Sequence, residues 1–111
     1  MAFDPTGFSI STSDRDGRAV VVIRGELDLA TAPDLEAALQ ERLDAGQDVV
    51  VDLRELDFMD STGLRVLVAA HTRVEGTEQR FLIVRPRPGA PIERILAIAG
   101  VERVLDLIDD A

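Results

Sequence analysis

Val49-Val50-Val51-Asp52-Leu53, followed by Asp57-Phe58-Met59-Asp60-Ser61-Thr62-Gly63-Leu64, decides how this chain is read. A short apolar, β-branched run is the pattern of a strand buried on both faces, as central parallel strands are. A polar turn then carries the chain to Ser61, where an apolar helical periodicity begins. Serine is among the best helix N-caps, because its hydroxyl accepts a backbone N–H that the first turn leaves free. The same turn favours negative charge, so a phosphate on Ser61 would meet amides that stabilise an anion. Most serines at a helix start are only caps, and two details cut against that reading here. The residue three places on is Leu64, so the reciprocal capping box with Glu or Gln is absent. Gly63 falls in the first turn, where glycine costs on the order of 1 kcal/mol relative to alanine. This glycine reads as access traded for stability: without a side chain, it lets a partner or a phosphate approach the backbone.

The flanking sequence supplies the rest of an α/β domain spanning 1–111, with Met1–Gly7 expected to be flexible. Phe8–Thr12 alternates as a half-buried strand does, Asp14-Arg15-Asp16-Gly17 is a turn, and Ala19–Arg24 is a second strand, together a hairpin. Thr31 is placed to cap a helix, with Pro33 early and Asp34 completing a Thr-x-x-Asp pattern. Leu35, Ala38, Leu39 and Leu43 mark its apolar face, and Gly46 ends it. A second helix is predicted from Thr62 to Glu75, with Leu64, Leu67, Val68 and His71 on one side and Gly76 as its stop. His71 follows the apolar row and is expected at the edge of the core. Phe81–Val84 is a further strand, and Arg85–Pro91 a stiff connection. Pro91–Ala99 is a third helix stopped by Gly100, and Val104–Ile108 a short last strand or turn. Strands alternating with helical crossovers predict a single mixed sheet of four to five strands, an N-terminal hairpin at its edge, and about three helices packed on it.

Composition narrows the function. With 46% hydrophobic residues the chain is globular, and at 111 residues it can bury roughly 60–70% of its unfolded surface. Four Phe without Trp or Tyr offer little for base stacking, and a net charge of −9 repels phosphate backbones, so direct nucleic-acid binding is not expected. The acidity suits a partner with a basic surface. No stretch approaches 18 apolar residues and no leader pattern opens the chain, so no membrane role is expected. The absence of cysteine removes disulfides and thiol chemistry and points to the cytoplasm. All twelve basic residues are arginine. Without lysine there is no Walker-type phosphate loop and no Schiff base. One histidine and no cysteine exclude a conventional zinc site. Ser61 and His71 on one helix stand roughly 15 Å apart, too far for a nucleophile–base pair. No cofactor and no catalysis are expected.

Asp60-Ser61-Thr62-Gly63-Leu64 behind Val49–Leu53, with Gly25-Glu26-Leu27-Asp28 upstream, resembles the STAS domain of bacterial anti-sigma factor antagonists over about Phe8 to Ile108. The resemblance implies the STAS fold and a partner switch. The unphosphorylated protein would bind an anti-sigma factor that is itself an ATP-binding serine kinase with a histidine-kinase-like fold, and so free the sigma factor. Phosphorylation of Ser61 would end the binding, and a serine phosphatase would reset it. It also implies that Asp28 is the loop acid of the kinase-facing surface, beside Ser61 at the carboxyl ends of the strands. Asp60 would assist recognition or add negative charge at the helix start. Phe58 and Met59 are candidates for an apolar partner contact beside Thr62 and Gly63, or one or both belong to the core, while Asp52 belongs to the strand end. Family members usually carry a further helix after the last strand, which Asp109-Asp110-Ala111 leave no room for. Two other readings stay open: a STAS scaffold in stress sensing, anion transport or lipid transport that is never phosphorylated, and a weak nucleotide-binding module using the amides of Ser61–Gly63.

Overall fold

The computed structural model describes residues 7–110, so the flexible start expected for Met1–Gly7 lies, Gly7 apart, outside the described residues. Strand β1 (Ser9–Arg15) runs into β2 (Arg18–Leu27) through Asp16 and Gly17, at φ 54° and 83°. Two successive positive φ values make the two-residue hairpin turn whose twist matches that of the strands it joins. Asp14 and Arg15, expected in the turn, are the last residues of β1.

Ten residues long, β2 is the spine of the sheet. Its first half pairs in parallel with β3 (Val49–Asp52), from Ala19 opposite Val49 to Val22 opposite Asp52. Its second half pairs in parallel with β4 (Leu56–Met59), ending with Leu27 opposite Met59. Beyond β3 lie β5 (Phe81–Val84) and the two-residue β6 (Leu107–Ile108), both parallel, which gives the order β1-β2-β3-β5-β6 with β4 alongside β2. The sheet thus has six strands among the described residues, where four to five were expected. The additional strand, β4, arises in the polar turn predicted before Ser61.

Between β3 and β4 the chain leaves the ladder for three residues and returns. Asp52 Oδ1 accepts the Arg54 amide at 2.9 Å, and the Arg54 guanidinium closes on the same carboxylate at 2.8 Å. Leu53 and Leu56 are both buried and joined by a hydrogen bond from the Leu56 amide to the Leu53 carbonyl (3.1 Å). Burial alone would push the Asp52 carboxyl up. The hydrogen bonds and charge of Arg54, with a further contribution from Arg24, outweigh it and hold the group below the usual carboxylate range.

Helices α1 (Ala32–Asp44), α2 (Ser61–Val74) and α3 (Pro91–Ala99) bury Leu35, Leu39, Leu67, Val74, Ile92 and Leu96 in one core with the odd-numbered strand residues Val21, Ile23, Val51 and Ile83. Val20, Val50, Leu82 and Val84 alternate with these and form a second, smaller cluster on the opposite face, each 5% exposed or less. Gly100, at φ 72°, ends α3 as expected. Arg85–Pro91 is the connection it was read as, with Arg85 paired to Asp109 (3.1 Å) and Arg87 to Glu55 (3.2 Å).

A carboxylate held low in the folded state contributes stability above its unfolded pKa of about 4, and the contribution is lost as pH falls through the lower folded value. Asp52→Asn is therefore expected to cost roughly 1–3 kcal/mol at pH 7 in urea unfolding, and much less near pH 2. A difference that stays constant across that range would contradict this account of Asp52.

Candidate functional site

The parallel register that ends on Leu27 and Met59 brings the residues after them, Asp28 and Asp60, side by side. The Asp60 amide donates to the Leu27 carbonyl at 3.1 Å, locking the two strand ends together where α2 starts. Asp28, Asp60 and Ser61 thus share one end of the sheet, the carboxyl end of its parallel strands, as expected.

The structure corrects the assignment of the cap. Asp60, in extended backbone (φ −100°, ψ −174°), is the N-cap of α2, and its Oδ1 accepts the amides of Thr62 (2.8 Å) and Gly63 (3.2 Å). Ser61 is the first helical residue: it is exposed, and its hydroxyl makes no hydrogen bond among the described residues. Aspartate caps as well as serine and adds a full negative charge at the positive end of the helix, so it prevails one residue earlier. Two of the amides that a phosphate on Ser61 was expected to meet, those of Thr62 and Gly63, are already taken.

Gly63 is also corrected. It is buried, and a Cβ there would stand 2.6 Å from Leu27 Cγ and 3.1 Å from Met59 Cγ. Its missing side chain lets α2 approach the ends of β2 and β4, and it does not offer backbone to a partner. Met59 is 1% exposed, which removes it from the partner surface, whereas Phe58 beside it is 42% exposed. The buried stripe of α2 is Gly63, Leu67, Ala70 and Val74, turned from the predicted row towards these small residues. Leu64, Val68 and His71 lie at its margin, half-buried. His71 Nδ1 is buried without a partner.

The second half of the site is a knotted loop. Asp28 Oδ1 accepts the amides of Ala30 (3.0 Å) and Thr31 (3.2 Å), while the Asp28 amide donates to Thr31 Oγ1 (2.9 Å). The Thr31 hydroxyl donates back to the Glu26 carbonyl at 2.8 Å. Thr31 stands at the N-cap of α1 as expected, but its side chain makes no capping bond, because its oxygen is spent on the loop. The knot holds up Leu29, 75% exposed and missed in the sequence. The one signal for Leu29 is a large apolar residue that fits neither the strand alternation nor the helical row. Leu29 borders a groove of ≈ 280 Å³ between α1 and α2, lined also by Ala32, Pro33, Thr62, Val66 and Ala69.

The chemistry available here is that of an acceptor. Ser61 presents a primary hydroxyl from a rigid helix start, and the one histidine lies ten residues further along α2 with no route to it. No group of three His, Cys, Asp or Glu side chains is placed to hold a metal ion among the described residues.

Urea unfolding separates these roles. Gly63→Ala is expected to lose about 1–2 kcal/mol through overpacking, although helix propensity alone would gain about 1 kcal/mol. Asp60→Ala is expected to lose about 1 kcal/mol or more, and Ser61→Ala to stay within about 0.5 kcal/mol. A stabilised Gly63→Ala, or a larger loss at Ser61 than at Asp60, would overturn this assignment.

Known proteins of this shape bear on the site. Residues 10–109 match the family model described as Mlab, STAS domain. The chain is 32% identical over 104 residues to the anti-sigma-F factor antagonist RsfB of Mycobacterium tuberculosis, covering 93% of this chain and 83% of that one. It is 34% identical over 100 residues to the anti-sigma-B factor antagonist of Staphylococcus aureus, covering 87% and 89%. Its fold superposes with a TM-score of 0.84 on the crystal structure of an anti-sigma factor antagonist from Mycobacterium paratuberculosis, at 30% identity over 96% of this chain and 90% of that one. With the hairpin, the parallel strands and the helix start at Ser61 all in place, the chain belongs to the STAS domain family.

Proposed function

We propose that this protein is an anti-sigma factor antagonist that works by partner switching. Unphosphorylated, it binds an anti-sigma factor that is a serine kinase and so releases the sigma factor. Phosphorylated on Ser61, it lets go. The observation that carries this reading is the free, exposed hydroxyl of Ser61 at a helix start already capped by Asp60. A serine kept only for the helix would be making the bonds that Asp60 makes. The antagonist names of relatives that match over most of their length point the same way.

In the forward step the kinase transfers the γ-phosphoryl group of its bound ATP. The Ser61 Oγ–phosphorus bond forms, the bond to ADP breaks, and the hydroxyl proton passes to a base on the kinase. A serine phosphatase reverses the switch by hydrolysis. The partner surface comprises Asp28, Asp60, Ser61, Thr62 and Phe58, joined by Leu29. Phosphorylation adds about −1.5 to −2 charge. Because Asp60 already holds the Thr62 and Gly63 amides, that charge is directed into the interface, where like-charge contact and desolvation cost several kcal/mol. No change of fold is required. The protein acts as a regulatory binding protein and not as an enzyme. We place its work in the cytoplasm; no helix among the described residues is long and apolar enough to cross a membrane.

Paired baits test the reading. Ser61→Ala is expected to capture an ATP-binding kinase from native extract, and Ser61→Asp to bind the same kinase at least 100-fold more weakly in calorimetry. Equal affinities would make Ser61 irrelevant to binding and the chain a constitutive scaffold.

A further inference from the structure

We propose that Arg65 is the counter-ion that this chain keeps for a phosphate on Ser61. The proposal rests on the reading of Ser61 as a phosphorylation site and adds what happens to the phosphate afterwards. Ser61 and Arg65 stand four residues apart on α2, and both are exposed. At 3.6 residues per turn they lie about 40° apart around the helix and roughly 6 Å apart along it. Helical side chains lean towards the N-terminus, so Arg65 leans over Ser61. The buried stripe of Gly63, Leu67, Ala70 and Val74 occupies the other side, so the core competes for neither residue.

Arg65 is also uncommitted. It makes no hydrogen bond or ion pair among the described residues, whereas Arg73, the other arginine of α2, is paired with Asp44. The neighbouring acids are engaged or apart: Asp60 holds the amides of Thr62 and Gly63, Asp28 those of Ala30 and Thr31. Glu36 lines the same groove as Arg65 and forms no ion pair with it.

Asp60 takes the Thr62 and Gly63 amides, so beyond the Ser61 backbone N–H a phosphate on Ser61 meets its charged donor in Arg65. A guanidinium meets a phosphate through paired, charge-assisted hydrogen bonds. The pair holds the phosphate along the exposed stripe of α2, at the mouth of the groove that Arg65 shares with Leu29 and Thr62. The modification then covers the groove as well as charging it, and a partner returning to the site must break the pair.

The test installs phosphoserine at position 61 during translation, so that no kinase is needed, and follows its phosphate by phosphorus NMR from pH 4 to 8. Wild type, Arg65→Lys and Arg65→Ala are compared; the charged groups around the site, Asp28, Asp60 and Glu36, are unchanged in all three, so their contributions cancel. A guanidinium favours the dianion, so Arg65→Ala is expected to raise the second ionisation, near pH 6, by about 0.5 pH unit, with Arg65→Lys in between. Unphosphorylated Arg65→Ala is expected to keep the wild-type unfolding midpoint. Identical titrations in all three proteins would overturn the proposal while leaving the partner switch intact. A clear Arg65 effect with no Ser61-dependent partner would instead fault the switch and keep the pair.

Discussion

Helix α2 starts directly above the paired ends of β2 and β4, and everything at the site depends on how closely it can approach them. Gly63 sets that distance. Leu27 and Met59 fill the space that any side chain at position 63 would need, and both belong to the core. A helix held this close over two locked strand ends cannot shift without opening the core beneath it. Ser61, two residues away on the opposite side, inherits that rigidity. The site is fixed by packing, before any partner arrives.

Neighbouring residues divide two tasks that a lone serine would combine. Asp60 satisfies the Thr62 and Gly63 amides at the start of the helix, and the Ser61 hydroxyl makes no bond among the described residues. The same economy governs the loop opposite, where Asp28 and Thr31 spend their oxygens on each other and on the backbone. What remains for a partner is a fixed acidic rim, an exposed leucine, a half-exposed phenylalanine and one free hydroxyl. In the proposed switch, a charge added to that hydroxyl would act on the interface alone while the fold stays as it is.

Much of this was legible in the chain. Continuous apolar runs declared Val49–Asp52 and Phe81–Val84, and proline and glycine bounded Pro91–Ala99. The rest was hidden for physical reasons. Strand β4 buries its first and last residues and exposes the middle two, and its register with β2 slips between Gly25 and Glu26, so no period of two marks it. Asp60 and Ser61 are comparable caps by composition; the charge of Asp60 favours it at the helix start, and the hydrogen bond from its amide to Leu27 fixes its position there. Gly63 announced a cost in helix stability, but what lies beneath it is visible only once Leu27 and Met59 are placed. Phe58 and Met59 could not be separated until the end of β4 put one outside and the other in the core.

The central claim is that the state of the Ser61 hydroxyl decides whether this protein is bound. The most direct measurement takes the native protein, separates its free and partner-bound pools by size, and maps phosphate in each by mass spectrometry. The account predicts an unmodified Ser61 throughout the bound pool and phosphate on Ser61 in the free pool. Phosphoserine at position 61 in equal proportion in both pools, or in neither, would contradict it.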